Sequence, residues 1–245
     1  MSEKGKLERF RPTFENGGFW EYYKDLERQF ENYLEYVPYL KGNRSSYSYR
    51  LASLILSTGA HIDSAFKEMA QYSNFPNAYP ELAKRVKKGK ATIEDYFSLA
   101  EHYGLSERKV IFKCVPERIT LTPFKDYTKK GKGVVTPDWW RAYNKVKHEF
   151  RDNFQKATLQ NARDALAGAF LIHVCHIPSA VRLCEYGVLQ GQLRKGESGS
   201  RVTRTFELLP VLVKESLEKD GTYLGFVETP LFLFNGWEGM NVLNE

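Results

Sequence analysis

Cysteine is scarce in this chain of 245 residues. Cys114, Cys175 and Cys184 are too few and too scattered for a disulfide framework, so a reducing compartment is the simplest setting. An apolar run of bilayer length is also missing. The most apolar stretch, Ala165 to Val181, is interrupted by His173, His176 and Pro178. Met1 to Arg11 is charged and lacks the apolar centre of a signal peptide. Together these absences predict a cytoplasmic protein that does not engage a membrane. No GxGxxG, P-loop, HExxH or GxSxG pattern occurs, which removes the usual dinucleotide, nucleoside-triphosphate, zinc-protease and serine-hydrolase readings. Internal repeats and low-complexity segments are absent too.

What is present suits a real core. Hydrophobic residues make up 42% of the chain, including 16 Phe and 15 Tyr, and an ordinary charged fraction of 27% argues against wholesale disorder. The length fits one large domain or one domain with an appendage. The formal charge is +6 and the pI near 9.0, which leans towards an anionic partner. That excess is concentrated: Glu81 to Arg151 holds 17 basic against 9 acidic residues, while the remainder is close to neutral. A solvated lysine-rich surface would give the same count.

Apolar periodicity places most elements. Phe19 to Tyr36 repeats aromatic and leucine side chains at three- and four-residue spacing, predicting a helix that ends near Pro38. Ser45 or Ser46 can cap a second helix running to about Tyr72, with Leu51, Leu54, Ile55, Thr58, Ile62, Ala65, Phe66 and Met69 as its apolar stripe. A short helix from Leu82 to Lys88 follows, then one opened by Thr92 with Asp95 and closed before Gly104. Val110 to Tyr127 reads as connecting structure with short extended pieces, and Lys129 to Gly133 as a basic loop. Thr136-Pro137-Asp138 starts the next helix, and Leu159 to Cys175 forms a buried one. From Gly187 the character changes: glycines recur, and Thr222 to Val227 and Leu231 to Phe234 read as strands. The expected organisation is a helical bundle over residues 1–186 and an α/β or β-hairpin appendage over 187–245, packed on it.

The helix opening at Trp139 carries the chemistry. At 100° per residue, Trp139, Ala142, Tyr143, Val146, Phe150, Phe154 and Ala157 fall on one side. Arg141, Asn144, Lys145, His148, Arg151 and Gln155 fall on the other. Arg141 and His148 are two turns apart, separated by about 20° and by roughly 10 Å along the axis. Histidine moves protons near neutral pH, and arginine binds phosphate bidentately and stabilises charge at phosphorus. Asn144, between them, could orient the imidazole or a ribose hydroxyl. A phosphodiester cleaved by its own 2′-hydroxyl would need no metal or cofactor, which points to RNA. An Arg and a His at this spacing also occur by chance on solvated helix faces.

The segment Pro137-Asp138-Trp139-Trp140-Arg141-Ala142-Tyr143-Asn144-Lys145-Val146-Lys147-His148-Glu149-Phe150, followed by Phe154 and Ala157, resembles the signature helix of the HEPN superfamily. The hallmark there is an Arg, four to six intervening residues, then His, and Arg141 precedes His148 by six. Tyr49-Arg50-Leu51-Ala52 through Ile62-Asp63 and Lys67 is similar to the earlier long helix of such bundles. The resemblance spans Ser45 to Cys175. It implies a mainly α helical bundle, frequently a homodimer in which the Arg and His of both subunits line a shared cleft. The implied activity is metal-independent cleavage of RNA in a toxin–antitoxin or phage-defence setting, with a protein antitoxin as a further partner. Arg141 would hold the phosphate, His148 would act as acid and base, Asn144 would orient, and Lys145, Lys147 and Arg151 would contact phosphates. The chain departs from the pattern at Ala142, where the family commonly carries Asn, Asp or His. That departure favours a second reading: a non-catalytic homodimeric scaffold, or a nucleotide- or RNA-sensing protein using the same face.

Other residues carry weaker signals. His173, Cys175, His176 and Cys184 include metal-ligand types, but without the paired spacing of zinc sites, and buried histidines satisfied by backbone explain them as well. His61 would lie on a helix beside the Trp139 helix and could support His148. Lys84 to Lys90 and Lys129 to Lys132 are candidate phosphate contacts, with Tyr96 and Tyr127 available for stacking.

Overall fold

The computed structural model describes residues 17–72, 75–113, 118–131, 133–176, 189–191 and 225–234. The protein is mainly helical with a small β part. Helix α1 (Gly18–Leu34) begins after Gly17, whose φ of 70° is open to glycine without strain. Its inward face is Phe19, Trp20, Tyr23, Leu26, Glu27 and Phe30. A short 3-10 turn (Lys41–Asn43) leads into α2 (Tyr49–Met69). The cap of α2 is Ser48, not Ser45 or Ser46: its hydroxyl accepts from the Leu51 amide at 3.2 Å. Every residue of the expected stripe on α2 is buried.

Three short helices follow: α3 (Phe75–Ala78), α4 (Pro80–Lys87) and α5 (Phe97–His102). The Thr92 amide donates to the Asp95 carboxylate at 2.7 Å, but the pair closes a turn and does not open the helix: α5 starts later than expected, at Phe97, with Tyr96 in the cap position. Strands β1 (Val110–Lys113) and β2 (Arg118–Leu121) are the extended pieces of the connecting segment. The basic segment after Tyr127 is a hairpin, β3 (Thr128–Lys130) and β4 (Gly133–Val135), turned by Gly131 at φ 60°.

Helix α6 (Asp138–His148) ends sooner than the periodicity predicts. Glu149 leaves helical geometry at φ −136°, ψ 55°, and the chain restarts as α7 (Phe150–Asn153) and a 3-10 turn (Phe154–Lys156). Thr158 then caps α8 (Leu159–Cys175), accepting from the Asn161 amide at 3.1 Å. Helix α8 is buried along nearly its whole length and packs on α1, α2 and α6.

Helices α2 and α8 run parallel. Their N-termini are tied by Leu159 N–H to Ser46 C=O at 2.8 Å and Gln160 N–H to Arg44 C=O at 3.0 Å. Helix α1 runs against both, since Trp20 meets His173 while Tyr23 meets Phe170. Helix α6 also runs against α2. Tyr143 packs on Gly59 so closely that a Cβ there would sit 2.4 Å from the ring. At the other end of the pair, Phe150 lies beside Tyr49.

Strands β5 (Leu189–Gly191), β6 (Gly225–Glu228) and β7 (Phe232–Phe234) join β1 and β2 in one antiparallel sheet of order β2-β1-β7-β6-β5. Phe112 pairs with Phe232, and these rings pack on Phe30 and Phe170. Residues on either side of position 187 therefore build the same sheet and the same core. Glu27, 1% exposed, fixes the sheet to α1: its carboxylate accepts from the Thr229 hydroxyl at 2.5 Å and the Leu231 amide at 2.9 Å. Of the segment after Gly187, residues 192–224 and 235–245 lie outside the described residues. No helix among the described residues is long and apolar enough to cross a membrane.

Candidate functional site

Helix α6 separates its two faces cleanly. Trp139, Trp140, Ala142, Tyr143 and Val146 are buried, while Arg141, Lys145, Lys147 and His148 are exposed and Asn144 is half-buried. Trp139 anchors the inner face, donating its indole N–H to Pro123 C=O at 2.8 Å and packing on Gly168 and Phe124. With Tyr143 seated on Gly59, two close helix contacts fix the rotation of α6. The polar face can then point only outward.

Arg141 and His148 share that face but do not converge within one chain. The Arg141 guanidinium turns back towards the helix start, where it donates to Thr136 C=O at 2.7 Å and pairs with the Asp138 carboxylate. Thr136 therefore serves through its carbonyl. Its side chain does not cap the helix, and Pro137 holds the cap position. His148 is the last residue of α6, at the opposite end. Lys147 lies over the Tyr143 ring at 5.3 Å, a cation–π contact that leaves its ammonium at the surface. Lys145 points to solvent without an ion-pair partner among the described residues. Arg151 is exposed on α7, so the break at Glu149 takes it off the α6 face, and Gln155 with it.

The same break redirects Phe150. Assigned by periodicity to the core, it is 39% exposed and stacks beside Tyr49 and Phe154. Tyr96 and Tyr127, expected as stacking partners for bases, are buried instead. Tyr127 donates its hydroxyl to Ile93 C=O, and Tyr96 reaches the Asp63 carboxylate at 3.4 Å. In the Lys84–Lys90 run, Arg85 is taken up by Asp95 at 2.9 Å and by Lys90 C=O. It lines a shallow hollow of about 300 Å³ with Tyr79, Leu82 and Ser98.

The remaining histidines form a different constellation. His61 Nε2 and His173 Nε2 lie 2.9 Å apart, so one ring donates and the other accepts. Both are buried among Phe19, Trp20, Tyr22 and Tyr23 of α1. His173 is thus held by a side chain as well as by its helix, and His61 supports His173 rather than His148. Burial pushes His61 down to about 4, and it lowers His173 well below the ordinary histidine value. His176, against Tyr72 and Tyr103, is pushed down to about 3 by the same cause. Three histidines are therefore neutral in the folded protein. The Cys175 thiol is buried and pushed up to about 12, which makes it a poor nucleophile. Cys184 lies outside the described residues. Among the described residues no cluster of three or more His, Cys, Asp or Glu side chains could hold a metal ion.

Sequence reasoning missed Glu27 as a tie to the sheet, although its place between Tyr23 and Phe30 on the apolar face was a visible signal. It also missed Tyr47 and Tyr49 as surface aromatics, because their partners lie a hundred residues further along. No known protein family, curated protein or solved structure matches this chain.

Proposed function

We propose that the protein is a HEPN-like, metal-independent endoribonuclease of a defence or toxin module. The observation that carries this reading is the exposed α6 face, where His148 lies with Lys145 and Lys147 while the rest of the helix is locked into the core; Arg151 is exposed beyond the break, on α7. His148 takes the proton of a ribose 2′-hydroxyl, whose oxygen attacks the adjacent phosphorus. The bond to the 5′-oxygen breaks, and that oxygen receives a proton. The products are a 2′,3′-cyclic phosphate and a 5′-hydroxyl, with no co-reactant consumed. The lysines and Arg151 hold the flanking phosphates.

Within one chain Arg141 is directed away from His148, so the reading requires a homodimer in which both subunits line one cleft and Arg141 exchanges Asp138 for the scissile phosphate. His148→Ala is expected to abolish RNA cleavage in EDTA with an unchanged circular dichroism spectrum. Cleavage that survives the substitution would sink the assignment.

A second reading, a non-catalytic homodimeric scaffold or RNA sensor, is favoured by one specific observation. Arg141 already has an internal ion pair with Asp138, and the next residue, Ala142, is buried and carries no polar group. On that reading the wild type binds RNA in EDTA and leaves it intact.

A further inference from the structure

Among the described residues, exposed aromatic side chains gather at the end of the bundle where α2 and α8 begin and α6 finishes. Six large apolar side chains are exposed among the described residues. Five of them, Tyr36, Leu40, Tyr47, Tyr49 and Phe150, lie in the α1–α2 connection, the first turn of α2 or the start of α7. They are organised. Tyr49 stacks on Phe154 with centroids 4.6 Å apart and planes at 29°, and lies nearly parallel to Phe150 at 6.3 Å and 19°. Tyr47 closes on the Phe154 edge at 5.4 Å. Tyr49 nevertheless remains 75% exposed, so the ring face turned away from Phe154 is open to solvent.

The surroundings are cationic. Residues 41–50 and 145–156, which frame this cluster, carry seven lysines and arginines against two acids. Lys41, Arg50, Lys145, Lys147, Arg151 and Lys156 are exposed and have no ion-pair partner among the described residues. Lys24, Arg28, Lys67, Lys84, Arg85, Lys113 and Arg141 are each paired with an acid. Among the described residues, the exposed Lys87, Lys88, Lys90, Lys129 and Lys130 share the lack of an ion-pair partner but have no exposed stacked rings beside them. Open aromatic faces beside unneutralised cations match a ligand of flat rings strung on an anionic backbone. A dry contact between two copies at this surface would instead set the same cations against each other. Duplex nucleic acid keeps its rings stacked internally and offers none to Tyr49.

We infer that the Tyr49–Phe150–Phe154 platform stacks unpaired bases of single-stranded RNA, with Arg50, Arg151 and Lys156 on the flanking phosphates. This rests on the proposed action on RNA but not on cleavage. It names the substrate class: a single strand that enters over the platform and passes His148 at the end of α6.

The test is fluorescence anisotropy of a labelled 12-nucleotide single-stranded RNA, and of the same strand annealed to its complement, in EDTA at about 0.1 M salt. The full chain is compared with Tyr49→Ala, Phe150→Ala and Tyr49→Phe, each checked for unchanged mass by light scattering. The wild type should prefer the single strand. Tyr49→Ala should weaken binding about tenfold, Phe150→Ala somewhat less, and Tyr49→Phe should keep it, since stacking needs the ring alone. Equal binding by wild type and both alanine variants would overturn the platform and leave the action on RNA standing. Preference for the duplex would overturn it as well. Failure of the wild type to bind or cleave any RNA would overturn both. A change of mass in the alanine variants, without a change in RNA binding, would make the surface a contact between copies and overturn the inference.

Discussion

In the C-terminal half of the α2–α8 pair, His61 and His173 meet in a neutral hydrogen bond, sealed by four aromatic side chains of α1. At the N-terminal end, His148 finishes α6 in solvent, and Tyr49, Phe150 and Phe154 stack where water reaches them. Tyr49 and His61 are twelve residues apart on one helix, about 18 Å. Both ends use histidine and aromatic rings, yet the closed end spends them on packing and the open end leaves them available. Residue type at a helix end therefore says little about function; the presence of a third helix over it decides. Helix α1 seals the histidine pair, whereas Tyr49 is left 75% and Phe150 39% exposed at the other end.

The closed end should respond most strongly to acid. Buried histidines with lowered values are neutral when folded, whereas the unfolded chain takes up protons below about pH 6.5. Their stability is fully present above that value and is lost as pH falls towards 4 and then 3. The loss is on the order of 3 kcal/mol from His61 alone. The urea midpoint should fall steeply between pH 6.5 and 4.5, and a His61→Phe, His173→Leu double variant should flatten that limb. An unaltered acid limb in the double variant would contradict the packing account.

Gly59→Ala tests what orients α6 between the two ends. A Cβ 2.4–2.6 Å from the Tyr143 ring cannot be accommodated without moving the helix, so a loss of about 3 kcal/mol is expected by chemical denaturation. A loss below about 1 kcal/mol would mean that α6 can shift freely.

Glu27 titrates in the opposite sense. Burial raises its carboxyl to about 7, so the folded protein holds a proton that the unfolded chain releases above about pH 4.5. Its contribution is therefore present at low pH and lost as pH rises from 4.5 to 7, a change of about 2–3 kcal/mol. Glu27→Gln keeps an acceptor for Thr229 and Leu231 and should be more stable than wild type at pH 8 but not at pH 4.5. Equal effects at both pH values would refute the assignment.

The smallest structural effect belongs to the open end. Tyr49→Ala should change stability by less than about 0.5 kcal/mol, because its ring lies mostly in solvent. A larger loss would make the platform part of the core and weaken its claim to a ligand.

Much of the fold could be read from periodicity. The inward faces of α1 and α2 were visible because leucine and aromatic residues recur at helical spacing without interruption. The span of α8, Leu159 to Cys175, was visible as a continuous apolar, alanine-rich run. The break at Glu149 was not, since no Pro or Gly marks it, and an unbroken wheel put Phe150 inside and Arg151 beside His148. Ser48 was overlooked for Ser45 and Ser46 because three serines compete within four positions. The His61–His173 contact, 112 residues apart, leaves no local trace. Nor does the sheet that joins Val110–Lys113 to Phe232–Phe234 across residues of a different composition. At the candidate site, the exposed face of α6 was legible, but the direction of Arg141 depends on which acceptors it finds, here Thr136 C=O and the Asp138 carboxylate.

The most direct measurement is cleavage of a single-stranded RNA in EDTA by the purified full chain and by His148→Ala. The account predicts 2′,3′-cyclic phosphate and 5′-hydroxyl ends from the wild type, and a loss of at least about 100-fold in the variant at unchanged stability. Intact RNA with the wild type, or equal cleavage by both proteins, would contradict it.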